Sequence, residues 1–466
     1  MSKKPISQLL KVHSNLLILL LSIALFGCET VIQPDKYTQQ HTLIKNVYII
    51  DVANRTLSEL SQLEVQGGKI TAIYPADKPH TTHYAHIIDA KGGYVSPGLI
   101  DMHVHAYDPA AFALSLAHGV THVRVMHGIK EHINWRDEIA AGQRVGSTIT
   151  VSSPIISGFE HGAFHHLVHT PEEARREVKA AKQAGYDLIK AYGNLSAPVL
   201  EALIDEAGNQ SIAVAKHGPH PSKGMTWNKL AGLQSMEHVE DIYQGLLSHT
   251  QDEAKLSQAV QSLKQLNVPV TPTLNIYWQL TELSTHKQDF LDSQPSGYIS
   301  PVVTMLAKHD QVNRWLNSSD KMAAHNRKTL AFLQHITARL DAAGIELLVG
   351  SDAGVLMSPH GLATLTEMRL MQESGIKPVD VVRAATMNSA KALGISEHYG
   401  QVKTGFAADL VVTVQNPIES VVAYDNPLFV LKQGGVYSAG DLAQLKQDAI
   451  EGRSIWQELI ILLREW

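Results

Sequence analysis

From about residue 98 to about residue 394 the chain repeats one pattern, a short apolar run followed by a helical stretch. The runs are Gly98 to His105, Val120 to Met126, Thr148 to Ile155, Leu188 to Tyr192, Ile212 to His217, Ser235 to His238, Val268 to Thr273 and Leu347 to Ser351. Parallel strands are buried on both faces, so they read as apolar runs rather than as strict alternation. Alternation of such runs with helices is the sequence form of repeated βα units. Eight of them in roughly 300 residues predict an α/β fold, a (β/α)₈ TIM barrel with insertions. A doubly wound open sheet is the alternative, but no Gly-x-Gly-x-x-Gly follows the first run. The longest interruption, Asn275 to Arg327, is expected to form helices near the barrel mouth.

Both ends of this region carry a different pattern. Val47 to Val52, Gln62 to Val65, Ile70 to Ile73 and His86 to Asp89 are short strand-like runs broken by Gly67-Gly68 and Gly92-Gly93. The same signature returns at Gly405 to Gln415 and Phe429 to Tyr437. A small β-sandwich domain built from residues 42–97 and 400–440, flanking a barrel over 98–399, is the simplest account. Residues 441–466 hold Leu442, Leu445, Ala449, Ile455, Leu459 and Leu462 at helical spacing, which predicts one C-terminal helix on the barrel exterior. The same face would serve a homo-oligomer.

The first 27 residues stand apart. Lys3, Lys4 and Lys11 precede an apolar stretch from Leu16 to Phe26, too short to span a bilayer and patterned as an export signal. Gly27 and Cys28 follow, and Cys28 is the single cysteine of the chain, so disulfides are excluded. The segment resembles the lipobox of bacterial lipoproteins, in which the cysteine is lipidated. Residues 28–41 would then be a tether. That resemblance implies an exported protein held in the cell envelope by lipid, at the outer membrane facing the periplasm, since Glu29 rather than Asp follows the cysteine. The net charge of −6 is acidic, which excludes nucleic acid as a partner and leaves membrane attachment to the lipid.

The chemistry sits at the strand ends. Gly98-Leu99-Ile100-Asp101-Met102-His103-Val104-His105 closes on two histidines, and alternation along a strand points both the same way, into the barrel. Lys190 ends an apolar pair where a charged amine would be costly to bury. His217, His238 and Asp352 end later runs, Asp352 within Gly-Ser-Asp-Ala-Gly. The chain carries 25 His in all, and imidazole is a frequent ligand for borderline metals.

In that order these residues resemble the amidohydrolase superfamily: His-x-His on strand one, Lys on strand four, His on strands five and six, Asp on strand eight. Arg383-Ala384-Ala385-Thr386-Met387-Asn388 and Gly405-Phe406-Ala407-Ala408-Asp409-Leu410 extend the likeness over nearly the whole chain beyond the signal. Gly119-Val120-Thr121-His122-Val123-Arg124 is similar to strand two of the imidazolonepropionase-like and Xaa-Pro dipeptidase-like branch. The resemblance implies that His103, His105 and Asp352 hold one divalent metal and His217 and His238 a second. Lys190 would bridge them as a carbamate formed with carbon dioxide, a feature the mononuclear deaminases lack. Zn²⁺ suits the mixed N and O ligands best, with Mn²⁺, Co²⁺ and Fe²⁺ as alternatives.

The implied reaction is hydrolysis of an amide-type C–N bond in a small molecule such as a dipeptide, an N-acyl amino acid or a cyclic amide, with Asp352 moving the proton. A lactonase or esterase on the same centre and a non-catalytic surface lipoprotein are the alternatives. Tyr192, two residues past Lys190, is either a substrate contact or a packed strand aromatic. His161, His165, His166 and His169 form a cluster that reads as a solvated loop, a substrate clamp or a further metal site. His360 in Ser-Pro-His-Gly is a second candidate substrate contact, with a weaker case for His220. The chain departs from the dipeptidase-like pattern at Tyr192-Gly193-Asn194, and Val125, Met126 and His127 follow Arg124 where those relatives carry Asp after the Arg.

Overall fold

A computed structural model describes residues 41–79, 83–160, 165–309 and 311–465. These fall in one compact unit, and no described helix is long and apolar enough to cross a membrane. Residues 1–40, with the signal segment and Cys28, lie outside the described residues, as does His161.

Seven parallel barrel strands run in chain order: Leu99–Val104, Val120–Val125, Thr148–Ser157, Leu188–Ala191, Ala213–His217, Ser235–Glu237 and Val270–Thr271. Their registers place Lys190 beside Ile155 and Ala215, and His217 beside Glu237. The first, second and fourth strands are buried along their entire length, as the apolar runs require.

The eighth run is not a regular strand. It closes the ring by two bridges, Val270 to Leu347 and Val104 to Ala353. The Asp352 N–H donates to the His103 carbonyl at 2.8 Å and the His105 N–H to the Ala353 carbonyl at 2.7 Å. A Cβ on Gly350 would fall 2.9 Å from the His103 Cβ, so only glycine lets the two segments approach this closely. The helices between strands carry ordinary end signals. Pro171–Ala184 starts with a Thr170/Glu173 capping box and stops at Gly185 with φ 89°. The long interruption is helical as expected, over Leu274–Ser293, Pro301–His309, Gln311–Leu316 and Asp320–Ala342.

The second domain is one continuous eight-stranded sheet. Thr42–Asp51 runs parallel to His86–Pro97, and Leu410–Thr413 from the far end of the chain pairs antiparallel with the same His86–Pro97, Val412 opposite Val95. The expected sandwich is therefore realised as a single sheet folded over a shared core of Ile44, Leu63, Ile70, Val95, Leu410 and Leu431.

The C-terminal segment corrects the expectation of one helix. It breaks at Gly452 into Ala439–Glu451 and Ile455–Glu465. Leu442, Leu445 and Ala449 of the first are buried, whereas Ile455 is exposed. The second helix and the turn before it reach the loop after strand one and the helix after strand two: Arg453 pairs with Asp108 at 3.3 Å and Arg464 with Glu131 at 3.5 Å. Apolar spacing alone does not register the break, because the periodicity resumes after it.

Candidate metal centre

His103 and His105 leave strand one on the same face, and barrel closure sets Asp352 against them. The Asp352 Oδ1 lies 3.0 Å from His105 Nε2 and 3.6 Å from His103 Nε2. One ligand atom from each of the three falls within 4.8 Å of the others, a grouping able to hold a metal ion. Burial alone would raise the Asp352 carboxyl, but the His105 hydrogen bond and the nearby His238 and Lys190 outweigh it and hold it at about 2.

Strands four to six bring further buried polar side chains beside this grouping. Lys190 is 1% exposed and its Nζ has no hydrogen-bond partner. Burial pulls that amine down to about 8, against the opposing pull of Glu237 and Asp352. The His217 Nε2 meets Asp241 Oδ2 at 3.0 Å, leaving a buried Nδ1 without a partner. The His238 Nδ1 meets Thr273 Oγ1 at 2.7 Å. The His238 ring stands 4.7 Å from that of His103 and 4.4 Å from that of His217. His238, Thr273 and Asp352 all take positive φ, at 71°, 56° and 54°. Such conformations cost roughly 1–3 kcal/mol each and cluster at functional sites.

A buried network behind the histidines was not foreseen from the sequence. The His103 Nδ1 is 2.9 Å from Glu237 Oε2, and Arg124 donates to Glu237 Oε1 at 2.8 Å. Arg124 also donates to the Met102 carbonyl at 2.6 Å and to Gln234 and Ser235 at 2.8 Å each. Ser235 donates a short hydrogen bond to Glu237. Asp101 accepts from the His103 N–H at 3.0 Å and from the hydroxyls of Ser351 and Thr364 at 2.6 Å each, tying strand one to the eighth segment. The available signal was Arg124 itself, a guanidinium inside an apolar run, which must find an acid when buried.

The remaining candidates divide. Tyr192 packs on His217 with ring centroids 4.1 Å apart and on His165 at 5.0 Å, so it borders the centre. Burial, with Asp352 and Asp241 nearby, pushes its hydroxyl up to about 12. The histidine cluster splits: His165 turns toward Tyr192 and meets Ser157 Oγ at 2.9 Å, while His166 is exposed and pairs with Glu177. His360 is buried and hydrogen-bonds the His105 backbone, with burial holding its ring at about 3. His220 meets the Pro221 carbonyl at 3.0 Å. The sequence reading did not single out His127, whose ring stacks on His105 at 4.9 Å.

A closed parallel barrel that gathers His, Lys and Asp side chains at its strand ends is the scaffold of a hydrolytic enzyme. The sequence profile of the Amidohydrolase family matches residues 94–439, and the chain belongs to that family. It is 23% identical over 447 residues to a 5'-deoxyadenosine deaminase of Methanosarcina mazei, covering 90% of this chain and 94% of that one. Among solved structures, a bottromycin amidohydrolase superposes with a TM-score of 0.73 at 21% identity, over 90% of this chain and 92% of the other. A Xaa-Pro dipeptidase with methionine bound gives 0.66 at 21%, over 85% and 100%. At these identities the structures share the fold.

Proposed function

We propose that the protein is a metal-dependent hydrolase of a C–N bond in a small amide, with two divalent ions held between strands one, four, five, six and eight. The observation that carries this reading is the His103, His105 and Asp352 grouping, with two buried polar atoms beside it that have no hydrogen-bond partner, Lys190 Nζ and His217 Nδ1. Leaving such atoms unpaired costs roughly 1–3 kcal/mol each, and a cation resolves the cost for the His217 acceptor. His103, His105 and Asp352 would hold one ion, and His217 and His238 the other. Lys190, carbamylated by carbon dioxide, would present an oxygen to each, which also accounts for a buried amine with no hydrogen-bond partner. Mixed imidazole and carboxylate donors suit Zn²⁺.

When bound, such a metal pair acidifies a water and polarises the scissile carbonyl. The chain's own residues do the rest. Asp352, ionised and 3.0 Å from His105, takes the proton released as water adds to the carbonyl and passes it to the leaving nitrogen, so the products are a carboxylate and an amine. Glu237 accepts from His103 Nδ1 and so fixes the tautomer that turns Nε2 toward Asp352. Tyr192, packed on His217, would hydrogen-bond the carbonyl or a substrate carboxylate.

Metal analysis together with turnover of a panel of dipeptides, N-acyl amino acids, cyclic amides and lactones tests the reading. It expects two ions per chain and cleavage of an amide. One ion per chain, an unmodified Lys190 and no amide cleavage would overturn it. We also infer that the protein is exported and anchored to the envelope through lipidated Cys28. The support is the charged and apolar pattern before it and the absence of any other cysteine. Cys28→Ser should release the protein or leave its precursor unprocessed, and unchanged membrane partitioning would refute the anchor.

A further inference from the structure

His127 lies at the end of strand two, 3% exposed, with neither ring nitrogen hydrogen-bonded. Three rings hold it. It stacks on His105 at 4.9 Å with an interplanar angle of 24°, touches Tyr107 at 4.8 Å and meets His132 edge-on at 5.2 Å. His132 is itself fixed, accepting from the Ile129 N–H at 3.1 Å and donating to the Ala106 carbonyl at 2.8 Å. On the other side a Cβ at Gly128 would collide with the Ser152 carbonyl, so the backbone after His127 has one place to be. The imidazole is therefore positioned by packing alone, and its polar atoms serve nothing within the described residues.

A phenyl ring would fill that space without the cost of roughly 1–3 kcal/mol per unpaired buried group. What imidazole adds is one donor and one acceptor. Asp352, which hands the proton to the leaving nitrogen, is 3.0 Å from His105, the ring that His127 covers. A leaving nitrogen protonated by Asp352 would lie on the His105 side of the centre.

We propose that His127 is a specificity-determining residue that accepts a hydrogen bond from the N–H of the scissile amide. Resting on the hydrolase reading above, this narrows the substrate to secondary amides, whose nitrogen carries a hydrogen, and disfavours bonds to proline, whose nitrogen does not. The hydrogen bond also orients the nitrogen lone pair for the proton from Asp352.

The test uses two stable dipeptide analogues, a phosphonamidate (P–NH) and the phosphinate in which CH₂ replaces the N–H, titrated calorimetrically into the zinc-loaded protein. The native protein should bind the phosphonamidate about tenfold more tightly, the worth of one hydrogen bond. His127→Phe, which keeps the stacked ring, should keep its metal and bind the two equally. His127→Asn, which retains an acceptor, should restore part of the preference. Equal binding by the native protein, or a preference that survives in His127→Phe, overturns the assignment. Loss of metal in His127→Phe also overturns it, because the ring would then serve only to hold His105. Binding of the analogues without cleavage of the parent dipeptide defeats the hydrolase reading instead, so the two failures are distinct.

Discussion

Glu237 Oε2 stands 2.9 Å from His103 Nδ1, with both side chains sealed from solvent and Arg124 closing the far side of the carboxylate at 2.8 Å. The three residues come from strands six, one and two, so a single carboxylate links separate parts of the ring and sets the tautomer of a histidine in the candidate metal centre.

Glu237→Gln removes that charge and lets the amide present either end to His103. Metal affinity should fall about 10- to 100-fold. Competition with a chelator of known affinity measures the loss. An unchanged affinity would mean that packing alone orients His103.

Lys190→Ala should abolish turnover and weaken metal binding, because Lys190 is the residue that would bridge the two ions. Short carboxylic acids, which supply two oxygens to the same gap, should restore part of the activity. Turnover measured against added acid across a chain-length series checks this. Full metal loading in Lys190→Ala without any acid would count against the bridge.

Asp352→Asn preserves shape and one ligand oxygen but cannot take a proton. Metal should stay while turnover falls by roughly 10² to 10⁴. Metal content and turnover are read on the same sample. Retained metal with near-native turnover would assign the proton to another group.

Glu458 on the last helix is 2% exposed and accepts a hydrogen bond from Ser300. Burial first, and Asp108 second, push its carboxyl up to about 7, against Ser300 and Arg453. A raised carboxyl means that the folded state holds the proton more tightly than the unfolded chain. Its contribution to stability is therefore complete below the ordinary 4.5 and is lost as pH rises through about 7. Glu458→Gln mimics the protonated form. Its melting temperature should gain on that of the native protein between about pH 5 and about pH 8, and parallel curves would show that Glu458 is not held protonated.

Much of the centre was legible because its signals are local. The two-residue spacing of His103 and His105 fixes a common face on any strand, and an apolar run ending in Lys190 or His217 marks a buried strand end wherever it pairs. The network behind them was not legible. Arg124 and Glu237 are 113 residues apart, and no local pattern says that strand two reaches strand six across the interior. His127 was passed over because its importance lies in what it lacks, hydrogen-bond partners, which only packing reveals. The last helix was misread for a similar reason, since spacing describes an apolar face and not what the face meets.

By itself the sequence determined the alternation of strands and helices, the inward face of strand one and the residue types offered at the strand ends, all consequences of side-chain period and apolar run length. Tertiary structure alone decided that these ends converge. The hydrogen bonds from Asp352 to His103 and from His105 to Ala353 join segments some 250 residues apart. Those contacts, permitted by the missing side chain of Gly350, draw His103, His105 and Asp352 around one point.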